Sequence, residues 1–202
     1  MAHPRDPHTP QDGAGGPDYE GSEVLQGPSA SAILRRLVEG DPLAIQDLCV
    51  RILDGEAFLI DPGRVAARAF ARVAHAGVYY RGRPPLERWL TQQVAQSIQE
   101  LMREDHHRHK VGLPPLEPID QTTVAMAALL NCEPAIARAV LVRFNFLPLA
   151  QRRTAMACLV NGESVDDHAR ARDLSPDQVR QLLDQALAAM SEASGPPPGD
   201  QP

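Results

Sequence analysis

The chain has 202 residues, enough for one compact domain or two small ones, and its 43% hydrophobic and 23% charged content is that of a globular protein. The formal net charge is −6, and the longest unbroken apolar run, Val124 to Leu130, falls far short of the roughly 20 residues of a membrane-spanning helix. Cys49, Cys132 and Cys158 lie far apart, which excludes a disulfide framework and zinc-ligand spacing; with no apolar leader in MAHPRDPH, a cytoplasmic location is expected.

Residues 1–28 hold five Pro, five Gly and five acids against one Arg, so they cannot bury enough surface to offset their ordering entropy and read as a disordered tail. Ile33, Leu34, Leu37 and Val38 then predict a helix that stops near Gly40. Asp41-Pro42 offers a cap and a first-turn proline ahead of Ala44, Ile45, Leu48, Cys49 and Ile52, and Asp61-Pro62 repeats the signal ahead of Val65, Ala69, Phe70 and Val73. Pro84-Pro85 opens the longest periodic segment, through Leu86, Leu90, Val94, Ile98 and Met102.

Residues 111–122, with Pro114, Pro115 and Pro118, read as an extended linker. Short apolar helices are expected over Thr123–Leu130 and Ala135–Phe144, and another from Leu147-Pro148 to Asn161-Gly162. Ser164 caps a short helix through Ala171, and Ser175-Pro176 starts the last, whose stripe of Val179, Leu182, Leu183, Ala186, Leu187 and Met190 should dock on a core. The stretch 194–202 reads as a second tail. No alternating β-branched run competes with these patterns. The fold class is therefore all-α, as two small helical domains over 29–110 and 123–193 joined by the proline-rich linker, the second with a helix-turn-helix outline.

Charge is unevenly divided. Residues 29–110 carry +2, whereas 1–28, 111–146 and 147–202 carry −4, −1 and −3. That balance argues against a protein held on nucleic acid by bulk charge alone, but not against a local basic face.

Leu147-Pro148, Gln151-Arg152, Gly162 to Ala169, Leu174-Ser175, Val179-Arg180 and Leu183 resemble the promoter-binding domain of extracytoplasmic-function (ECF) sigma factors, members of the sigma-70 family of bacteria. Leu34-Arg35-Arg36-Leu37, Gly40-Asp41-Pro42, Arg81-Gly82, Pro85-Leu86, Trp89-Leu90 and Leu101-Met102-Arg103 resemble that family's core-polymerase and −10-element domain. Resemblance spans residues 30–110 and 133–190 in the family's order. It implies RNA polymerase core and promoter DNA as partners, with an anti-sigma-type or other regulatory protein as a further one, no cofactor and no enzymatic activity. Arg103, Arg108 and Lys110 would contact the first promoter element, and Arg180 with Gln181 the second, by insertion into the major groove.

The sequence also departs from the family. Where its members present acids to the polymerase clamp, this chain has Arg64 and Arg68, and Arg72 continues the face at i, i+4 and i+8. No acid lies within residues 63–74, so the ladder is a candidate partner-binding face, or a solvated one. In the last helix Asp177 and Asp184 outnumber Arg180 before the final turn, and His168 and Arg172 stand where the family prefers aliphatic residues. Asp105 to Lys110 reads as a basic nucleic-acid or polymerase contact, a frayed helix end or, least convincingly, a metal site, because no tetrahedral ligand set is defined. Trp89, Tyr79 and Tyr80 read as core and rim, with base stacking by a tyrosine as the alternative. Neither a catalytic Cys–His arrangement nor a phosphate-cradling loop is specified. Two functions remain open: a divergent sigma-like regulator of transcription initiation, or a sigma-like scaffold that has lost promoter recognition and acts through protein contacts. A repressor using the C-terminal helices alone fits their −3 balance less well.

Overall fold

A computed structural model describes residues 40–41, 44–114 and 119–191, and among them every regular element is helical. The expected tails at 1–28 and 194–202, the helix expected from Ile33 to Val38, and residues 115–118 of the proline-rich stretch lie outside the described residues.

Helix α1 (Ile45–Glu56) starts about one turn later than Asp41-Pro42 suggests. The Asp41 carboxylate still answers its first amides, accepting from Ile45 N–H at 2.9 Å and Gln46 N–H at 2.6 Å. Helix α2 (Pro62–Gly77) begins as its sequence predicts, with Asp61 accepting from Arg64 N–H at 3.0 Å and Pro62 in the first turn, where a missing N–H breaks no helical bond. Helix α3 (Leu86–Lys110) follows Pro84-Pro85 and runs for 25 residues. Helical periodicity lines up Val65, Ala69 and Val73 on α2 and Leu90, Val94, Ile98 and Leu101 on α3. These faces close over Ile45, Leu48, Cys49 and Leu53 of α1 in one cluster of fourteen buried residues. Trp89 is half-buried at its rim, with its ring 4.8 Å from that of Tyr80, while Tyr79 stands 71% exposed.

The second half is built differently. Helix α4 (Gln121–Leu130) is capped by Asp120, which accepts from Thr123 N–H at 2.7 Å, and turns 103° into α5 (Pro134–Asn145) through Asn131, a residue that tolerates the left-handed backbone found there. Helix α6 (Leu149–Ala155) continues through a π turn at Met156–Val160, α7 (Val165–Arg172) is capped by Ser164, and α8 (Pro176–Ser191) closes the order. Two clusters of only four buried residues each sit here: Met126, Ala127, Ala137 and Leu141 between α4 and α5, and Phe144, Leu147, Ala155 and Ala186 beneath α8. The α8 stripe buries Val179 and Ala186, but Leu187 is exposed, against expectation. It lies about 100° round the helix from Ala186, past the edge of the buried face.

The halves touch through apolar and polar groups together. Leu59 packs against both small clusters. Asn145 brackets its backbone, Oδ1 accepting from Leu59 N–H at 2.8 Å and Nδ2 donating to Leu59 O at 3.1 Å. Arg152, 7% exposed, lies 4.2 Å over the Phe58 ring and donates to Glu56 O at 3.0 Å and Leu147 O at 2.6 Å. Helix α3 also contacts α5 directly. Among the described residues no single helix is long and apolar enough to cross a membrane.

Candidate functional site

The arginine ladder of α2 faces α3, and acids it lacks within its own helix come from that neighbour. Arg72 pairs with Glu100 and donates from Nε to Gln96 Oε1 at 3.1 Å; Arg68 Nη2 meets Glu104 Oε2 at 2.9 Å. Arg64 donates to both oxygens of Asp105, at 3.1 and 3.3 Å, and lies 3.4 Å from Asp120. Spacing explains the match, because i, i+4, i+8 on α2 meets 105, 104 and 100 on an antiparallel α3 face. Sequence reasoning missed these partners, since it weighed acids only within residues 63–74. The usable signal was the acid run Glu100, Glu104, Asp105 one helix later.

At its inner end the ladder becomes a cluster joining four elements. Asp105 Oδ1 also accepts from Arg138 Nη2 of α5 at 3.1 Å. Two carboxylates and two guanidiniums thus meet between α2, α3, α5 and the cap of α4, each side chain less than one-fifth exposed. Removing one member would strand the others, which is costlier than losing a surface pair. Cooperation between the halves is therefore tied to charge as well as to packing.

Of the proposed DNA contacts, Arg103, Arg108 and Lys110 lie on the last turns of α3. Arg103 is exposed and lies 3.4 Å from Gln99 Oε1; Arg108 donates from Nε to Pro114 O at 2.7 Å; Lys110 is exposed at the last position of the helix. The adjacent His106 ring is 4.8 Å from Phe146. Partial burial, with Arg143 and His106 nearby, lowers the His109 pKa from 6.5, so its ring is chiefly neutral at pH 7. No group of three or more His, Cys, Asp or Glu side chains among the described residues could hold a metal ion.

Arg180 and Gln181 are both exposed in the second turn of α8. Asp177 holds Arg180 at 2.7 Å, an i, i+3 pair at the surface. The joint ahead of them is short: α7 ends at Arg172, Asp173 takes a left-handed backbone with φ 55°, and Ser175 Oγ accepts from Gln178 N–H at 3.2 Å. His168 of α7 is only 3% exposed, with Nδ1 3.2 Å from Glu163 and Nε2 3.4 Å from Thr154 Oγ1. That contact accounts for a histidine at a place where an aliphatic residue was expected. It is a buried polar link between α7 and α6.

No protein-family model matches the chain, and no curated protein is similar enough to count as a relative.

Proposed function

We propose that this chain is a divergent sigma-like regulator of transcription initiation, a cytoplasmic two-domain protein that binds RNA polymerase core through α1–α3 and promoter DNA through the α7–α8 pair. One observation carries the reading: the three-residue joint from Asp173 to Ser175, with Val179 fully buried and Arg180 and Gln181 beside it facing outward. A recognition helix needs that division between an anchored inner face and polar residues free at its N-terminal turns. In this reading Arg103, Arg108 and Lys110 lie along the first promoter element. Recruitment of a regulatory protein of the anti-sigma type belongs to the same proposal.

The test is anisotropy of a promoter-length duplex titrated with the full chain between 50 and 300 mM salt. Three or four phosphate contacts give a log–log slope of roughly −3. Co-purification with core polymerase and promoter-dependent transcription should accompany it. Absence of binding at 50 mM salt and of any polymerase association would refute the reading.

A second reading, a sigma-like scaffold acting only through protein contacts, is favoured by the neutralised cations. Arg64, Arg68 and Arg72 all meet acids, and Arg180 meets Asp177. Recovery of a stable protein partner, without DNA binding or polymerase association, would select it.

A further inference from the structure

The joint between α2 and α3 presents cations that nothing in the described fold neutralises. Tyr80 fixes its centre, with its ring 4.8 Å from that of Trp89 and its hydroxyl donating to Pro84 O at 2.7 Å. With Tyr80 turned inward, Val78, Tyr79, Arg81, Arg83 and Arg88 are left exposed around it. Arg81 donates from Nη1 to Val78 O at 3.0 Å, which sets its guanidinium beside that exposed apolar pair. Among the described residues no acid pairs with Arg81, Arg83 or Arg88, and Glu87 is the only acid between His75 and Arg88. Elsewhere the pattern is opposite: Arg68 and Arg72 meet acids of α3, Arg138 meets Asp105, and Arg170 and Arg180 meet acids of their own helices. Unpaired guanidiniums around an exposed tyrosine suit an anionic partner that also carries apolar side chains.

We propose that this joint is covered by residues 18–25 of the same chain. That segment reads Asp18-Tyr19-Glu20-Gly21-Ser22-Glu23-Val24-Leu25, three acids interspersed with one aromatic and two aliphatic residues and no cation. Its carboxylates answer Arg81, Arg83 and Arg88, while Tyr19, Val24 and Leu25 lie against Val78 and Tyr79. Fourteen residues separate Leu25 from Gly40, the first described residue. At ~3.5 Å each they span roughly 50 Å, enough to reach any face of a protein of this size. Reach therefore permits the contact, and charge with exposed aromatic surface chooses its place. Each exposed ion pair is weak. The tether supplies an effective concentration on the order of millimolar, so a contact too weak to persist between separate molecules is populated within one chain. It is a property of this chain alone and stands independently of the transcriptional reading.

Limited proteolysis of the full chain with a glutamate-specific protease tests it. Mass spectrometry follows cleavage after Glu20 and Glu23, against an isotope-labelled peptide of residues 14–30 in the same tube as the uncovered standard. At 20 mM salt the chain should be cut at least about threefold more slowly than the peptide. At 500 mM salt, where the Debye length falls to about 4 Å, the two rates should be equal. Combined Arg81→Gln, Arg83→Gln and Arg88→Gln should remove the protection at 20 mM salt, with helicity unchanged by circular dichroism because all three side chains are exposed. Tyr79→Ala should reduce it, and Arg103→Gln with Lys110→Gln, at the other basic surface, should leave it intact. Equal cleavage of chain and peptide at 20 mM salt, protection that persists at 500 mM, or protection that survives the triple substitution would overturn the proposal.

Discussion

The two halves of this molecule solve the same problem with different means. Helices α1–α3 share one continuous cluster of fourteen buried residues, whereas α4–α8 divide eight between two clusters. The second half compensates with polar reach into the first: Arg152 and Arg153 donate to carbonyls of the α1 end, and Asn145 binds both backbone groups of Leu59. A helical unit short of apolar surface can thus borrow order from a neighbour, and its stability then depends on polar contacts across the seam as well as on packing.

The largest effect should come from the first half. Ile98 is 2% exposed in the middle of α3, and Ile98→Ala should cost about 4 kcal/mol, against about 2 for Leu141→Ala in a small cluster that can collapse around the change. Urea unfolding checks the ranking; the reverse order would mean that the main core lies elsewhere. Cys49 sharpens the same point through pH. Burial first, and the Asp41 charge second, push its thiol from 9.0 to about 11. The protonated thiol is thereby favoured in the folded chain, so this stability is present below pH 9 and lost as pH rises toward 11, by roughly 3 kcal/mol. Cys49→Ala should flatten the alkaline decline relative to the wild type.

For the second half the vulnerable points are polar. Arg152→Met keeps the apolar stem but strands the carbonyls of Glu56 and Leu147, for an expected loss of about 2 kcal/mol. Trp89, the only tryptophan of the chain, lies in the first half and reports on it selectively, while far-UV circular dichroism reports on both. In the wild type the two signals should coincide. In Arg152→Met the dichroism should begin to fall before the fluorescence does. Ser164→Ala removes the acceptor of Asp167 N–H at the start of α7, at an expected cost near 1 kcal/mol, without separating the two signals.

How much of this was legible beforehand depended on the range of the interaction. Asp61-Pro62, Ser164 and Ser175-Pro176 marked helix starts because capping is local, written within three or four residues. Asp41 misled by about one turn, since its carboxylate reaches amides four and five residues on. Arg152 was hidden: it occupies a place in the buried face of α6, between Leu149 and Ala155, and nothing local says that an arginine there will lie over Phe58. Likewise the pairing of Arg64 with Arg138 across Asp105 joins residues 74 positions apart in the sequence, which periodicity cannot register.

The ladder between α2 and α3 supplies the smallest effect and the finest test of that distinction. Arg68 and Glu104 form a single 2.9 Å contact with both side chains about one-third exposed, so Arg68→Ala should lose only about 0.2–1 kcal/mol and less as salt rises. Arg68→Glu should be worse, because it sets like charges together, and adding Glu104→Arg should restore most of the loss by re-forming the pair in the opposite sense. That double-mutant cycle isolates the pairing from helix propensity and from burial of the long stems. If the exchange restores stability, the ladder is a seam whose sign is arbitrary within the fold. Restored stability with lost affinity for polymerase or another partner would then assign the retained arginines to recognition, since the reversed pair satisfies the fold equally well.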